Sequence, residues 1–181
     1  MKIIILIMVI MSIVTVFPSL ADEANKERNW GIGLQANYPL WGGISVRYYG
    51  LSPIYFQAVG RSIWNGNDKD NMIGTGISYA VFEHKGRAIT RLYISLEGGL
   101  RYEKFPNWIW LPEEQISHET ITKKTTYGSG LTFGIEIAFN VFGTQIGFNT
   151  EFGQGFGKIE ENQNSRTTAS FLFGAGGHIY F

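Results

Sequence analysis

Residues 131–139 read Leu-Thr-Phe-Gly-Ile-Glu-Ile-Ala-Phe, with a bulky apolar residue at every odd position and a small or charged one at every even position. A period of two is the mark of a strand, because successive side chains leave opposite faces of a sheet, whereas a helix repeats every 3.6 residues. One face carries Leu131, Phe133, Ile135, Ile137 and Phe139, and the other Thr132, Gly134, Glu136 and Ala138. The same alternation extends in both directions. Upstream, Trp30, Ile32, Leu34, Ala36 and Tyr38 oppose Gly31, Gly33, Gln35 and Asn37; Ile44, Val46 and Tyr48 oppose Gly43, Ser45 and Arg47. Ile73, Ile77, Tyr79 and Val81 oppose Gly74, Gly76, Ser78 and Ala80, and Leu92, Ile94, Leu96, Leu100 and Tyr102 oppose Arg91, Tyr93, Ser95, Glu97, Gly99 and Arg101. Downstream, Ile146, Phe148, Thr150 and Phe152 oppose Gln145, Gly147, Asn149, Glu151 and Gly153, and the final run sets Phe171, Phe173, Ala175, Ile179 and Phe181 against Ser170, Gly174, Gly176, His178 and Tyr180. With a less regular stretch from Ile54 to Gly60, the count is about eight strands, the smallest number that bacterial barrels use.

Which face is the outside follows from charge. A soluble barrel of the lipocalin kind turns its large apolar residues inward and needs charges outside, and such a periplasmic ligand-binding barrel is one alternative. Here Lys26, Lys69, Lys85, Lys104, Lys123, Lys124 and Lys158 all fall in expected turns, loops or strand ends. The small face suits the crowded interior of a narrow barrel, so the bulky face is expected to meet lipid. Unpaired backbone groups are costly in hydrocarbon, which requires the Trp30 strand to pair with the Phe181 strand. Links alternate in length: short ones at 51–53, 84–87 and 140–144, longer polar ones at 62–71, 104–125 and 158–166, and a short exception at 39–42. Tyr38, Trp41, Tyr55, Tyr79, Tyr102, Phe139, Phe142 and Phe156 lie near strand ends, where rings favour the headgroup level. The expected fold is an all-β, eight-stranded antiparallel transmembrane β-barrel, an up-and-down meander.

Met1 and Lys2 precede an apolar run from Ile3 to Val16, and Ser19 and Ala21 are small residues two apart. Residues 1–21 read as a signal peptide with cleavage after Ala21, since an uncleaved spanning helix needs about 20 apolar residues. Residues 22–29 form a short N-terminal lead, and 30–181 the barrel. The chain has 181 residues, no cysteine, and Lys+Arg 15 against Asp+Glu 15. That bounds it to one domain, gives no field that would attract nucleic acid, and removes disulfides, thiolate metal sites and an acylated cysteine anchor. The 23 glycines are expected where inward space is short.

On these residues the sequence resembles the small eight-stranded outer-membrane proteins: the OmpA transmembrane domain, OmpX and the opacity proteins. The resemblance covers nearly all of 30–181. Its most specific element is the end, where Phe171, Phe173, Ile179 and the terminal Phe181 look like the signature that the barrel assembly machinery recognises. It implies a bacterial outer-membrane location, surrounded by membrane lipid and lipopolysaccharide, with that machinery as a partner.

Inward-facing Arg47, Arg91 and Arg101 balance Glu97, Glu136 and Glu151 three against three. Buried charge is costly unless paired, so a plugging network is expected, with Arg91 and Glu136 one pair at similar depth. A narrow channel is the alternative reading of the same residues. His84, His118 and His178 show no metal spacing, and no cofactor is expected. Ser117 and His118 near Glu113, Glu114 and Glu119 would be the parts of a lipid A-modifying enzyme, but the serine of lipid A deacylases stands two residues after the histidine, where Thr120 stands here. Gly153, Gly155 and Gly157 before Lys158 fail the phosphate-loop spacing, with Phe152 and Ile159 in the required places. Phe105, Trp108, Ile109, Trp110 and Leu111 cluster within the expected 104–125 loop, a candidate external binding surface. The leading expectation is a non-enzymatic barrel with a structural or surface-interaction role carried by its loops.

Overall fold

Eight antiparallel strands follow one another in chain order: β1 (Trp30–Tyr38), β2 (Trp41–Leu51), β3 (Ile54–Asn65), β4 (Asp68–Lys85), β5 (Ala88–Leu111), β6 (Ile116–Val141), β7 (Thr144–Glu161) and β8 (Asn164–Tyr180). This is a computed structural model describing residues 28–39, 41–86, 88–111, 116–162 and 164–181, with 108–111 and 116–119 described by their backbone alone. The expected signal peptide, its cleavage after Ala21 and most of the lead lie outside the described residues.

Each strand pairs with the next, and β1 pairs with β8 from Gly31↔Tyr180 to Tyr38↔Phe173, which closes the ring. Beyond the last ladder rung, the Trp30 and Phe181 amides each donate to the other's carbonyl. The closing seam depends on a residue without a side chain. A Cβ on Gly33 would stand 1.9 Å from the Gly177 carbonyl oxygen and 2.7 Å from the His178 Cα, both parts of β8.

Alternation turns the barrel inside out relative to a soluble one. Leu34, Leu96 and Leu131 are exposed by 61%, 62% and 58%, while Asn37, Ser45, Glu136 and Glu151 are buried in the lumen. Two small apolar clusters close the interior: Trp41, Val59, Met72 and Leu172 toward one end, and Tyr49, Tyr55, Ala80, Ala138 and Tyr180 toward the other. The second end holds the tight links at 52–53, 86–87 and 142–143 and is called the turn end below; the opposite one is the hairpin end.

Two expectations are corrected by the structure. The long links at 62–71, 104–125 and 158–166 are mostly strand: β3–β4 pairing runs to Asn65↔Asp68, β5–β6 to Leu111↔Ile116 and β7–β8 to Glu161↔Asn164. Polarity marked these segments as loops, but a ribbon standing above a barrel needs no apolar face, only paired backbones. Gly66 at φ 61° and Asn162 at φ 54° supply the left-handed positions of tight turns. Lys69, Lys104, Lys123, Lys124 and Lys158 therefore sit in strands. Beyond Lys69↔Lys104 β5 has no β4 partner, and beyond Lys124↔Glu161 β6 has no β7 partner, so 105–111 and 116–123 form a two-stranded ribbon.

Trp41 and Tyr55, expected at the headgroup level, are instead interior, 6% and 5% exposed. The Trp41 ring fills the space that Gly74 and Gly99 leave free. The β4 register shifts between Ala80 and Phe82, so Val81 faces outward as expected, Phe82 faces outward beside it, and Glu83 turns inward.

Gly33→Val is expected to lose at least about 2 kcal/mol, because backbone must move at the seam, whereas Gly60→Ala, whose Cβ would meet nothing nearer than the Met72 oxygen at 3.8 Å, folds as the parent. Unfolding in urea, followed by the mobility difference between boiled and unboiled protein, measures both.

Candidate functional site

The inner faces of β2, β5 and β6 bring three charges together at mid-lumen. Arg91 stands directly opposite Glu136 in the β5–β6 register, with Nη1 3.6 Å from Oε2, and Arg47 reaches the same oxygen at 3.7 Å. Tyr49 donates to Glu136 Oε2 at 2.7 Å, and Tyr180 donates to Oε1. Arg91 also pairs through Nε with Glu83 at 3.1 Å, and its guanidinium lies 4.5 Å from the Tyr49 ring centroid. Tyr55 donates to Glu83 as well. A carboxylate buried with two guanidiniums and two phenols has its charge met on all sides, which is the condition for burying it at all.

Glu97 and Glu151 lie elsewhere in the lumen and are held by neutral groups. Gln35 donates to Glu151 at 2.5 Å and to Asn37 at 2.8 Å, and Asn37 donates to Glu97 at 2.6 Å. Thr132 donates to Glu97 at 3.0 Å and Tyr93 to Glu151 at 3.3 Å. Among the described residues neither carboxyl has a cation within ion-pair distance. The expected balance of three against three does not form one network, because Arg101 stands apart at the hairpin end. There it binds Asp70 through Nε at 3.0 Å and Nη2 at 3.1 Å, and Glu103 at 3.0 Å. Arg61 joins the same Asp70, and Lys124 joins Glu103 at 3.4 Å.

Reading by simple alternation missed Glu83, because the β4 bulge reverses inside and outside; two consecutive apolar residues, Val81 and Phe82, were the available signal. Alternation puts Tyr93 and Tyr180 on the inner face without a role and assigns none to Tyr49, and Tyr55 was expected at the headgroup level; all four serve the carboxylates as hydroxyl donors. Between the polar layers the cavities are the size of single waters: about 10 Å³ beside Arg47, Tyr49 and Glu136, and about 10 Å³ beside Trp41, Thr75 and Glu97.

The other candidate residues are placed as follows. His178 is buried with Nε2 2.9 Å from Ser45 Oγ, His84 is exposed at the turn end, and no group able to hold a metal occurs among the described residues. The side chains of Ser117, His118 and Glu119, and all of Glu113 and Glu114, lie outside the description. Phe171, Phe173 and Phe181 are exposed on the outward face, with Ile179 half-buried on it. Phe105 is exposed on the ribbon; Trp108, Ile109, Trp110 and Leu111 lie on β5, described by backbone only.

No family model matches the chain, and no curated protein matches it. Among solved structures it is similar to the N-terminal β-barrel domain of Pseudomonas aeruginosa OprF, at 12% identity over 84% of this chain and 96% of that one, with a TM-score of 0.33.

Two outcomes follow from these geometries. Glu136→Gln leaves Arg47 and Arg91 buried without a countercharge and is expected to cost about 3–5 kcal/mol, while Glu97→Gln strands no cation and costs about 1 kcal/mol or less; urea midpoints of the two variants in detergent compare them. At the hairpin end burial opposes ionisation of Asp70, but the Arg101 hydrogen bond and the charges of Arg101 and Arg61 hold its carboxyl below the ordinary 3.8. A depressed folded value stabilises above the unfolded value and is lost as pH falls through the folded one. Amide exchange near Asp70 is therefore expected to speed up on acidification through that window, and Asp70→Asn to flatten the response.

Proposed function

We propose that the chain is an integral outer-membrane β-barrel with a structural or surface-interaction role, offering the β5–β6 ribbon to a partner outside the cell. The observation that carries this reading is the outward face. Followed from the turn end along β4, β5, β6 and β7, the outward positions of the described residues hold no Lys, Arg, Asp or Glu until Lys69, Lys104, Lys123 and Lys158. The outward positions of β1, β2, β3 and β8 hold none at all. Ile73, Ile77, Leu96, Leu100, Phe133 and Phe173 are among the large apolar side chains that stand exposed on it.

A soluble monomer seldom exposes more than a few hundred Å² of contiguous apolar surface, and this band encircles the barrel. Hydrocarbon is the solvent that suits it, and the closed ladder leaves no strand edge unpaired there. A transmembrane strand needs about 9–11 residues, a length that β5 supplies between Ala88 and Tyr102 before its first outward charge. Short turns belong on the periplasmic side and long hairpins outside, which supports a ribbon exposed at the cell surface. The polar plug and the water-sized cavities favour a closed lumen over a conducting one.

Lys104 and Lys123 face each other across β5–β6, so replacing 105–122 by Asn-Gly closes a two-residue hairpin without altering the barrel. Protease added to intact cells is expected to cut the parent in the ribbon and spare the shortened variant, with both recovered in the outer-membrane fraction and both shifting mobility on boiling. Recovery of the parent in the soluble periplasm would overturn the reading.

A further inference from the structure

At the top of the outward face a row of lysines crosses three neighbouring strands. Lys69 stands directly opposite Lys104 in the β4–β5 register, and Lys104 directly opposite Lys123 in the β5–β6 register. Directly opposed residues bring their Cβ atoms to about 4.5–5.5 Å, and like charges so placed repel. No carboxylate pairs with any of the three among the described residues. The nearby Asp70 and Glu103 belong to the opposite face of the strands, where Arg61, Arg101 and Lys124 take them up. Charge is thus sorted by strand parity into a paired network inside and an uncompensated positive row outside. Lys158, the next outward lysine, is by contrast matched by Glu160 at 2.7 Å.

The row also has a fixed position relative to the apolar band. Each of the three is the first charge met on its strand after the apolar outward residues, which include Ile73 on β4, Leu100 on β5 and Leu131 on β6. Aromatic rings flank it: Trp64, opposite Lys69 on β3, holds the Lys69 ammonium 5.1 Å from its ring centroid, and Tyr102 precedes Lys104 by two residues on the same face. Three unneutralised ammonium groups where an apolar surface ends match an anionic phosphate whose acyl chains lie against that surface.

We propose that Lys69, Lys104 and Lys123 form a binding site for the phosphate of an anionic lipid headgroup in the leaflet at the hairpin end. The site rests on the membrane-spanning reading above and adds a ligand class and its residues to it. The repulsion built into the row is relieved when the headgroup is seated.

The test uses the full chain folded into phosphatidylcholine vesicles carrying a trace of spin-labelled phosphatidic acid or spin-labelled phosphatidylcholine, and reads the motionally restricted fraction of each. Phosphatidic acid is expected to associate more strongly by on the order of tenfold. Lys104→Gln should reduce that preference roughly twofold, and the triple variant Lys69→Gln/Lys104→Gln/Lys123→Gln should remove nearly all of it. Lys124→Gln, which removes the same charge one residue away on the inward face, should keep it. A preference retained by the triple variant overturns the site, as does one lost equally in Lys124→Gln. Abolition by millimolar inorganic phosphate overturns the lipid as its ligand in favour of a soluble anion. The boiling shift, measured before any lipid comparison, separates the two levels: a parent that fails to insert overturns the membrane reading and the site with it, whereas an inserted parent without preference overturns the site alone.

Discussion

Ring closure is the constraint on which the rest of this structure depends. On the proposed membrane-spanning reading, a sheet whose outer surface is apolar all round has no water to satisfy a free edge, so β1 and β8 must find each other across the whole length of the chain. The Gly33 contact with β8 backbone shows how tightly that seam is drawn. Once the ring is closed with eight strands its lumen is too narrow for a continuous water channel or an apolar ligand, and side chains must fill it. Alternation then makes most of the filling polar, because most bulky apolar residues face outward, and the apolar side chains that do enter the lumen gather in the two small clusters near its ends.

A polar filling has to be arranged so that no charge is stranded. Around Glu136 the solution is ionic, two guanidiniums and two phenols on one carboxylate, drawn from β2, β5 and β8. Around Glu97 and Glu151 it is neutral, with amides and hydroxyls from β1, β5 and β6. The two layers tie strands together that are not neighbours in the ladder, which makes the interior a cross-brace as well as a plug. At the hairpin end the same logic reappears: the inward carboxylates Asp70 and Glu103 are paired with Arg61, Arg101 and Lys124, while the outward Lys69, Lys104 and Lys123 have no carboxylate partner among the described residues.

Much of this was legible in residues alone. The period of two at Leu131–Phe139, repeated along the chain, gave strand, face and neighbour pairing together, and the Arg91–Glu136 pair could be read because both residues sit in regular alternation. What escaped was whatever broke the period or lacked an apolar face. The bulge at Val81 reverses parity, so Glu83 lands beside Arg91 although counting puts it outside. The ribbon of β5 and β6 is largely apolar over 105–111 and polar over 116–123, and without alternation such a stretch reads as loop until the pairing partner is known. Trp41 and Tyr55 went inward because glycines on facing strands and a carboxylate partner were waiting for them, facts that belong to three dimensions.

The central claim is that the odd positions of residues 131–139 face lipid and the even ones face the plug. The chain has no cysteine, so single cysteines can be placed one at a time from 131 to 139, spin-labelled, and probed in vesicles with oxygen and with a water-soluble nickel chelate. The account predicts high oxygen and low nickel access at 131, 133, 135, 137 and 139, with little of either at 132, 134, 136 and 138. Nickel access at the odd positions would mean that water, not hydrocarbon, bathes the bulky face, and the account would be wrong.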